Sequence, residues 1–188
     1  MEYSDLTPVE AIEKVLGAGE NADFEELWCA VKSSVNAATQ DDQWTALMVA
    51  CGSVVDATEF IQKVIAAGAD VTAVDGDGWT ALHWSAYHGR PHAAQALLEN
   101  APPHKHTELF EIKAADGRTA KEVAHTEDHH EVVHVIEKFV ELLKTTAQEQ
   151  VYAELAAINS PQSSDGDETL KLSSAGEDEE EEVEEEAP

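Results

Sequence analysis

Asp75-Gly76-Asp77-Gly78-Trp79-Thr80-Ala81-Leu82-His83-Trp84-Ser85-Ala86-Tyr87-His88-Gly89 is the stretch whose reading decides the fold. It begins as an Asp/Gly turn, offers a Thr to cap a helix, and continues with small and apolar residues at helical spacing as far as a terminating Gly. This predicts a first helix from about Thr80 to His88 and a second from about His92 to Asn100. Leu82, Ala86, Ala93, Leu97 and Leu98 then form one inward stripe. A helix pair this short cannot bury its own apolar face, so it must stack on neighbours.

The neighbours are visible as repeats. Asp42-Gln43-Trp44-Thr45-Ala46-Leu47 precedes Asp77-Gly78-Trp79-Thr80-Ala81-Leu82 by 35 positions and matches it at five of six places. A weaker copy, Asp116-Gly117-Arg118-Thr119-Ala120, follows 39 positions later. Thr7-Pro8-Val9-Glu10 has the grammar of a capping box with Pro at the first helical position, and Gly17 and Gly19 stop that helix. Asp23 is placed to cap a further helix carrying Phe24, Leu27, Trp28 and Val31. Four helix pairs are therefore expected, beginning near residues 7, 44, 79 and 118, with almost no regular sheet.

The stretch from Asp75 to Gly89 resembles the ankyrin repeat family, following its pattern D-x-x-G-x-T-P-L-H-x-A-A-x-x-G with Ala81 in place of Pro and Ser85 in place of Ala. Ala67-Gly68-Ala69-Asp70-Val71-Thr72-Ala73 is similar to the G-A-D-V-N-A link between its repeats. The resemblance runs from about Thr7 to Phe139 and implies an all-α solenoid of about four helix-turn-helix units with hairpin-like turns. It is uneven: Thr45-Ala46-Leu47-Met48 lacks the family His, and Lys121 stands where the family has a core Leu, as suits a last repeat with no neighbour covering it. The Ala101-Pro102-Pro103-His104-Lys105-His106 junction makes the third repeat six residues too long, and its prolines suggest an exposed loop.

Past the repeats, Val132, Val133, Ile136, Phe139, Val140 and Leu143 recur at three- and four-residue steps, and Ala147, Val151, Leu155 and Ile158 continue the stripe. This helix is too long for the family, so it either extends beyond the stack or breaks near Thr145-Thr146. Packing over the open end of the solenoid and dimerisation are its two readings. The expected domains are 1–143, the repeats; 144–159, a helical extension; and 160–188, an acidic tail that its charge run and poverty in apolar residues leave disordered.

Composition narrows the function. The 188 residues carry 39 acidic against 11 basic side chains, a formal net charge of −28. Pro161 to Pro188 alone holds 12 acids and one Lys, a net of −11. Nucleic acid or an anionic membrane is repelled by such a chain, and a basic protein partner is its natural complement. Cys29 and Cys51 form no CxxC, and the acidic start Met1 to Asp5 lacks the basic region of a secretory signal, which predicts reduced thiols and a cytoplasmic or nuclear protein. No apolar run approaches the roughly 20 residues of a membrane span.

Little in the chain points to catalysis. There is no G-x-S-x-G elbow, glycine-rich phosphate loop or H-E-x-x-H. Nine His residues raise a metal reading, and His130 and His134 share a helix face, but neither Cys is near them in sequence. In the resembled family, His83 and His129 occupy positions that hydrogen-bond within and between repeats. No enzyme activity, cofactor or metal is expected.

Trp44, Trp79 and Arg118 hold one place in three successive repeats, directly before the capping Thr. The resemblance puts that place at the root of the projecting hairpins on the concave side, with Tyr87 and His88 lining the same groove and Asp77 at the adjoining turn. Two Trp, a Tyr and an Arg have the composition of an interface hot spot. The plainer reading is that the rings stack on adjacent hairpins and stiffen the array. The expected function is a non-catalytic adaptor that binds a protein partner through the groove, as a monomer unless the C-terminal helix dimerises. A small array of this family with an acidic tail is also similar to a known escort of a ribosomal protein, which implies the alternative of an escort for a basic client such as a ribosomal protein or histone. A His-dependent metal-binding protein or enzyme is the alternative from another class.

Overall fold

The computed structural model describes residues 6–159, with side chains through residue 149. The acidic segment 160–188, expected to be disordered, lies outside the described residues, as do the side chains of Val151, Leu155 and Ile158. The chain divides into two units, Met1–Glu149 and Gln150–Pro188, and the architecture below is that of the first.

Four helix pairs succeed one another: α1 (Pro8–Ala18) with α2 (Phe24–Val31), α3 (Ala46–Gly52) with α4 (Thr58–Ala66), and α5 (Ala81–Tyr87) with α6 (Pro91–Asn100); a short α7 (His106–Glu111) then precedes α8 (Ala120–Thr126) and α9 (His130–Asn159). The first helices pack in the order α1, α3, α5, α8, and the second helices α2, α4, α6 form a layer behind them. Among the described residues the only β-type pairing is two isolated bridges, Ala38 with Thr45 and Lys113 with Thr119, at the necks of hairpins. This is the all-α repeat solenoid that the sequence motifs lead one to expect.

Each first helix starts on the same device, a Thr whose hydroxyl accepts from the N–H three residues on while that residue's side chain accepts from the Thr N–H. Glu10 serves Thr7, Met48 serves Thr45, His83 serves Thr80 and Glu122 serves Thr119. Met48 therefore answers the missing family His: its sulfur lies 3.4 Å from the Thr45 nitrogen, a weak acceptor in a buried place. The stripe read from the sequence is inside, with Leu82, Ala86, Leu97 and Leu98 all 0% exposed.

The hairpins between repeats are chained through the backbone. Gly76 donates to the Asp42 carbonyl at 2.9 Å, and Ala115 donates to the Asp77 carbonyl at 2.8 Å. Gly78 and Gly117 supply a left-handed turn residue at φ 77° and 86°, and Gln43 takes the corresponding place at φ 61°. Gln43 offsets that strain by donating its side-chain amide to the Thr39 and Gln40 carbonyls. Gly89, at φ 62°, is doubly constrained, because a Cβ there would lie 2.6 Å from the His129 ring.

One reading of the sequence is corrected here, and one that it leaves open is decided. The 101–106 junction is exposed only at its centre, Pro103 and His104, and is not an irregular loop: Pro103–Lys105 forms a 3-10 turn that leads directly into α7, and both Ala101 and His106 are buried. Proline fits the first turn of a helix because the N–H it lacks has no intrahelical partner there. His106 donates Nε2–H to the Leu98 carbonyl at 2.8 Å, which ties the six extra residues back onto α6. Of the two expectations for the last helix, extension holds and the break at Thr145-Thr146 does not: both hydroxyls donate back to carbonyls four residues earlier, and α9 runs on to Asn159. Val132 and Ile136 anchor it to the core, whereas residues 144–149 are all exposed. Lys121, at the open end, is exposed and paired with Glu137 at 2.7 Å. No helix among the described residues is long and apolar enough to cross a membrane.

Candidate functional site

The site grows from one buried carboxylate. Asp75 opens the hairpin before α5; its Oδ1 accepts from the N–H groups of Asp77 and Trp79 at 2.9 and 2.8 Å, and its Oδ2 accepts from the Trp84 indole at 2.9 Å. The turn and the first helix thus share an anchor. Trp84 in turn meets Trp44 edge-on at 5.4 Å, Trp79 at 5.5 Å, and stacks on the His88 ring at 5.6 Å. Tyr87 closes the set against Trp79 at 5.3 Å and His88 at 5.1 Å. These geometries are the offset and edge-to-face forms that aromatic quadrupoles favour.

Of the six residues singled out in the sequence, four come together in this cluster: Trp44, Trp79, Tyr87 and His88. The Trp rings are half-buried, and Tyr87 is 42% exposed. Asp77 is exposed at the turn, where its backbone carbonyl accepts from the Ala115 N–H of the next hairpin. Arg118 lies in no ring contact of the cluster; it is held by Asp116, with Nε 2.7 Å from Oδ2, and its carbonyl accepts from His83. Trp84 escaped the sequence reading although it is the hub. The available signal was its i, i+4 spacing to His88, which puts both on one face of α5.

Beside the cluster the first helices leave an apolar groove of about 180 Å³, lined by Val15, Leu16, Met48, Val49 and Val54 together with Trp44, Trp84 and His88 of the cluster. Leu16 and Val54 are among the exposed large apolar residues of the protein. Among the described residues no group of three or more His, Cys, Asp or Glu side chains is placed to hold a metal ion. His130 instead faces Asp128 at 3.1 Å on the surface. Cys51 is buried, which pushes its thiol pKa up, and Cys29 is exposed; neither is in a disulfide.

Two histidines behind the aromatic face, His83 and His129, reach across to the neighbouring repeat. The Thr80 N–H occupies His83 Nδ1 at 3.2 Å, so the ring proton sits on Nε2 and is donated to the Arg118 carbonyl at 3.2 Å. His129 makes the equivalent bond to the Tyr87 carbonyl at 3.0 Å, so both histidines link successive repeats. Burial lowers the His83 pKa below its usual value, against opposing pulls from the Arg118 carbonyl, Asp116 and Asp75. Burial lowers that of His88 too, helped by Arg90 and His129. A base whose folded pKa is depressed binds more protons when unfolded, so stability falls as pH drops below about 6.5. Denaturant midpoints should therefore decline between pH 7 and pH 5, above the range in which Glu10, Asp56, Asp116, Glu122 and Glu137, all with lowered pKa values, begin to protonate. His83→Gln should flatten that slope; an unchanged slope in the variant would show that His83 does not set it.

A model of the ankyrin repeat family, in three copies, matches residues 15–108 and 54–145. The chain belongs to that family. It is also 31% identical over 98 residues to the glycerophosphocholine phosphodiesterase gde1 of Schizosaccharomyces pombe, an alignment covering 48% of this chain and 8% of that protein. The matched part is thus a small fraction of a much longer relative.

Proposed function

We propose that this ankyrin-repeat chain is a non-catalytic interaction module that grips a protein partner through the cluster of Trp44, Trp79, Trp84, Tyr87 and His88. The observation that carries this reading is the cluster itself: three Trp, a Tyr and a His in mutual ring contact, none of the rings fully buried. Large amphipathic rings already fixed by one another bind with little further loss of side-chain entropy, which is why Trp and Tyr dominate hot spots. Arg118 and Asp77 contribute at the margin, on the neighbouring hairpin roots. The partner is basic, to match a chain of net charge −28.

The test is capture of partners from native extract by the full chain, followed by affinity measurement on the purified complex. Trp79→Ala should raise the dissociation constant about 30-fold, the equivalent of about 2 kcal/mol. A change under threefold would return the aromatic row to a purely stiffening role.

A second reading is favoured by the charge of residues 161–188: an escort for a basic client such as a ribosomal protein or histone, neutralised jointly by groove and tail. The two readings part on salt. A complex held by many charges weakens steeply with ionic strength, and a ring-anchored one does not. The same affinity measured for a version ending at Asn159 and for the full chain, at low and high salt, separates them.

A further inference from the structure

The apolar groove does not end at the aromatic cluster. At Ala22 it opens into a second cleft of about 490 Å³, whose walls are the α1–α2 and α3–α4 connections and which carries Glu20, Asp23, Glu25, Asp56 and Glu59. The two cavities share Ala22 and continue through adjacent residues, Gly19 to Glu20 on one wall and Val54 to Val55 on the other. This is the end of the helices away from the hairpins. All five carboxylates are exposed; Lys63 pairs with Glu25 and also faces Glu59, and His92 faces Asp56. Asp23 and Asp56 are fixed in place by local backbone bonds that each use only Oδ1, from Glu25 and Glu26 in one case and Thr58 in the other. Acidic groups thus crowd one side of an apolar slot whose own walls expose Leu16 and Val54.

We propose that groove and cleft together form a single site for an extended or helical protein segment that carries an apolar anchor next to a run of Lys or Arg, the anchor seating between Leu16, Val54 and Trp84 and the cations among Glu20, Asp23, Asp56 and Glu59. The proposal deepens the interaction reading by naming the chemistry of the bound segment and the part of the surface that selects it. Apolar contact alone would admit any hydrophobic peptide, and carboxylates alone any polycation. Adjacency of the two makes the order of residues in the ligand matter, which is how a surface of modest area acquires selectivity. Burial lowers the His88 pKa, which favours its uncharged form beside an incoming cation.

The probe is a dye-labelled synthetic peptide with one Phe followed three residues later by Arg-Lys-Arg, titrated into the full chain and read by anisotropy. Two control peptides replace Phe by Ala, or Arg-Lys-Arg by three Glu. Two doubly substituted proteins, Leu16→Asn with Val54→Asn and Glu20→Lys with Glu59→Lys, alter only exposed side chains and so leave the fold in place. The expected result is saturable binding by the unaltered protein, at least tenfold loss with either control peptide, and at least tenfold loss with either variant. In the nitrogen-15 spectrum the indole signals of Trp44 and Trp84 should move on titration. Absence of binding up to millimolar peptide, equal affinity for the Ala peptide, or variants within twofold of the unaltered protein would each overturn the composite site. The hot-spot reading stands or falls separately, on whether Trp79→Ala releases the partner captured from extract.

Discussion

Trp84→Ala is expected to cost about 4–5 kcal/mol of folding stability and to remove partner binding as well, the largest functional effect of any single substitution in the aromatic face. Two losses add. The ring itself is half-buried and touches Trp44, Trp79 and His88, so its truncation falls at the low end of the range for removing a large aromatic side chain. The second loss is polar: Asp75 is 7% exposed, and its Oδ2 would be left without the indole donor at 2.9 Å. An acceptor stranded in that way costs about 1–3 kcal/mol. Because Oδ1 of the same carboxylate organises the turn that positions Trp79, the disturbance reaches the hairpin root and not only the helix.

Trp84→Phe divides these contributions. A phenyl ring keeps much of the stacking on His88 and the edge contact with Trp44 but lacks the N–H, so the variant should lose about 1–2 kcal/mol, mostly the stranded oxygen. Urea unfolding of the unaltered protein and both variants gives the stabilities, and titration with the captured partner gives the affinities. The hub assignment fails if Trp84→Ala destabilises no more than Trp84→Phe, or if it leaves affinity within a few fold while the fold persists.

The fold was legible because its signals are local and repeated. A Thr cap and an apolar stripe recur at Thr45, Thr80 and Thr119, and each copy corrects the noise in the others. The capping partners show the limit of such reading: Glu122 announces itself as a capping box, whereas Met48 does the same task through a sulfur that no motif anticipates. The 101–106 junction is harder to read, because proline breaks a helix interior yet fits a helix's first turn. At Pro103 it opens a 3-10 turn, and the burial of His106 against Leu98 is a tertiary contact that no local pattern encodes.

The site was half legible for the same reason. Trp44 and Trp79 were visible as equivalents across repeats, but the hub, Trp84, sits at a position where repeat two has Val49 and thus lacks an aromatic echo. Arg118 was grouped with the Trp residues by register; its guanidinium is instead satisfied by Asp116 two residues back, an interaction within its own hairpin. Register places a residue on a face. It does not determine which neighbour the side chain takes. The groove that joins α1, α3 and α5 lies further still from sequence reading, since its walls come from three repeats.

Leu82→Ala should lower stability by about 3–4 kcal/mol and, more informatively, should expose how the array holds together. Leu82 is 0% exposed on α5, the first helix that contacts α3 on one side, α8 on the other and α6 behind. Leu→Ala at such a site removes transfer free energy and leaves a cavity that a close-packed, three-sided environment cannot easily collapse. Against a total of roughly 5–15 kcal/mol for a domain, this is a large fraction. In a solenoid the free energy is approximately a sum of repeat and nearest-neighbour interface contributions, so damage to the third of four pairs weakens both interfaces that join the ends. If those interfaces still exceed the cost, unfolding remains one transition and only the urea midpoint falls, with the slope unchanged. If they do not, the array parts beside α5 and the slope drops, because less surface is exposed in each step. Leu142→Ala, at a residue 51% exposed on α9, serves as the contrast and should change stability by no more than about 0.5 kcal/mol. A loss under about 1 kcal/mol for Leu82→Ala would mean that the third repeat is not the keystone its contacts describe, and that the ends of the array sustain each other by another route.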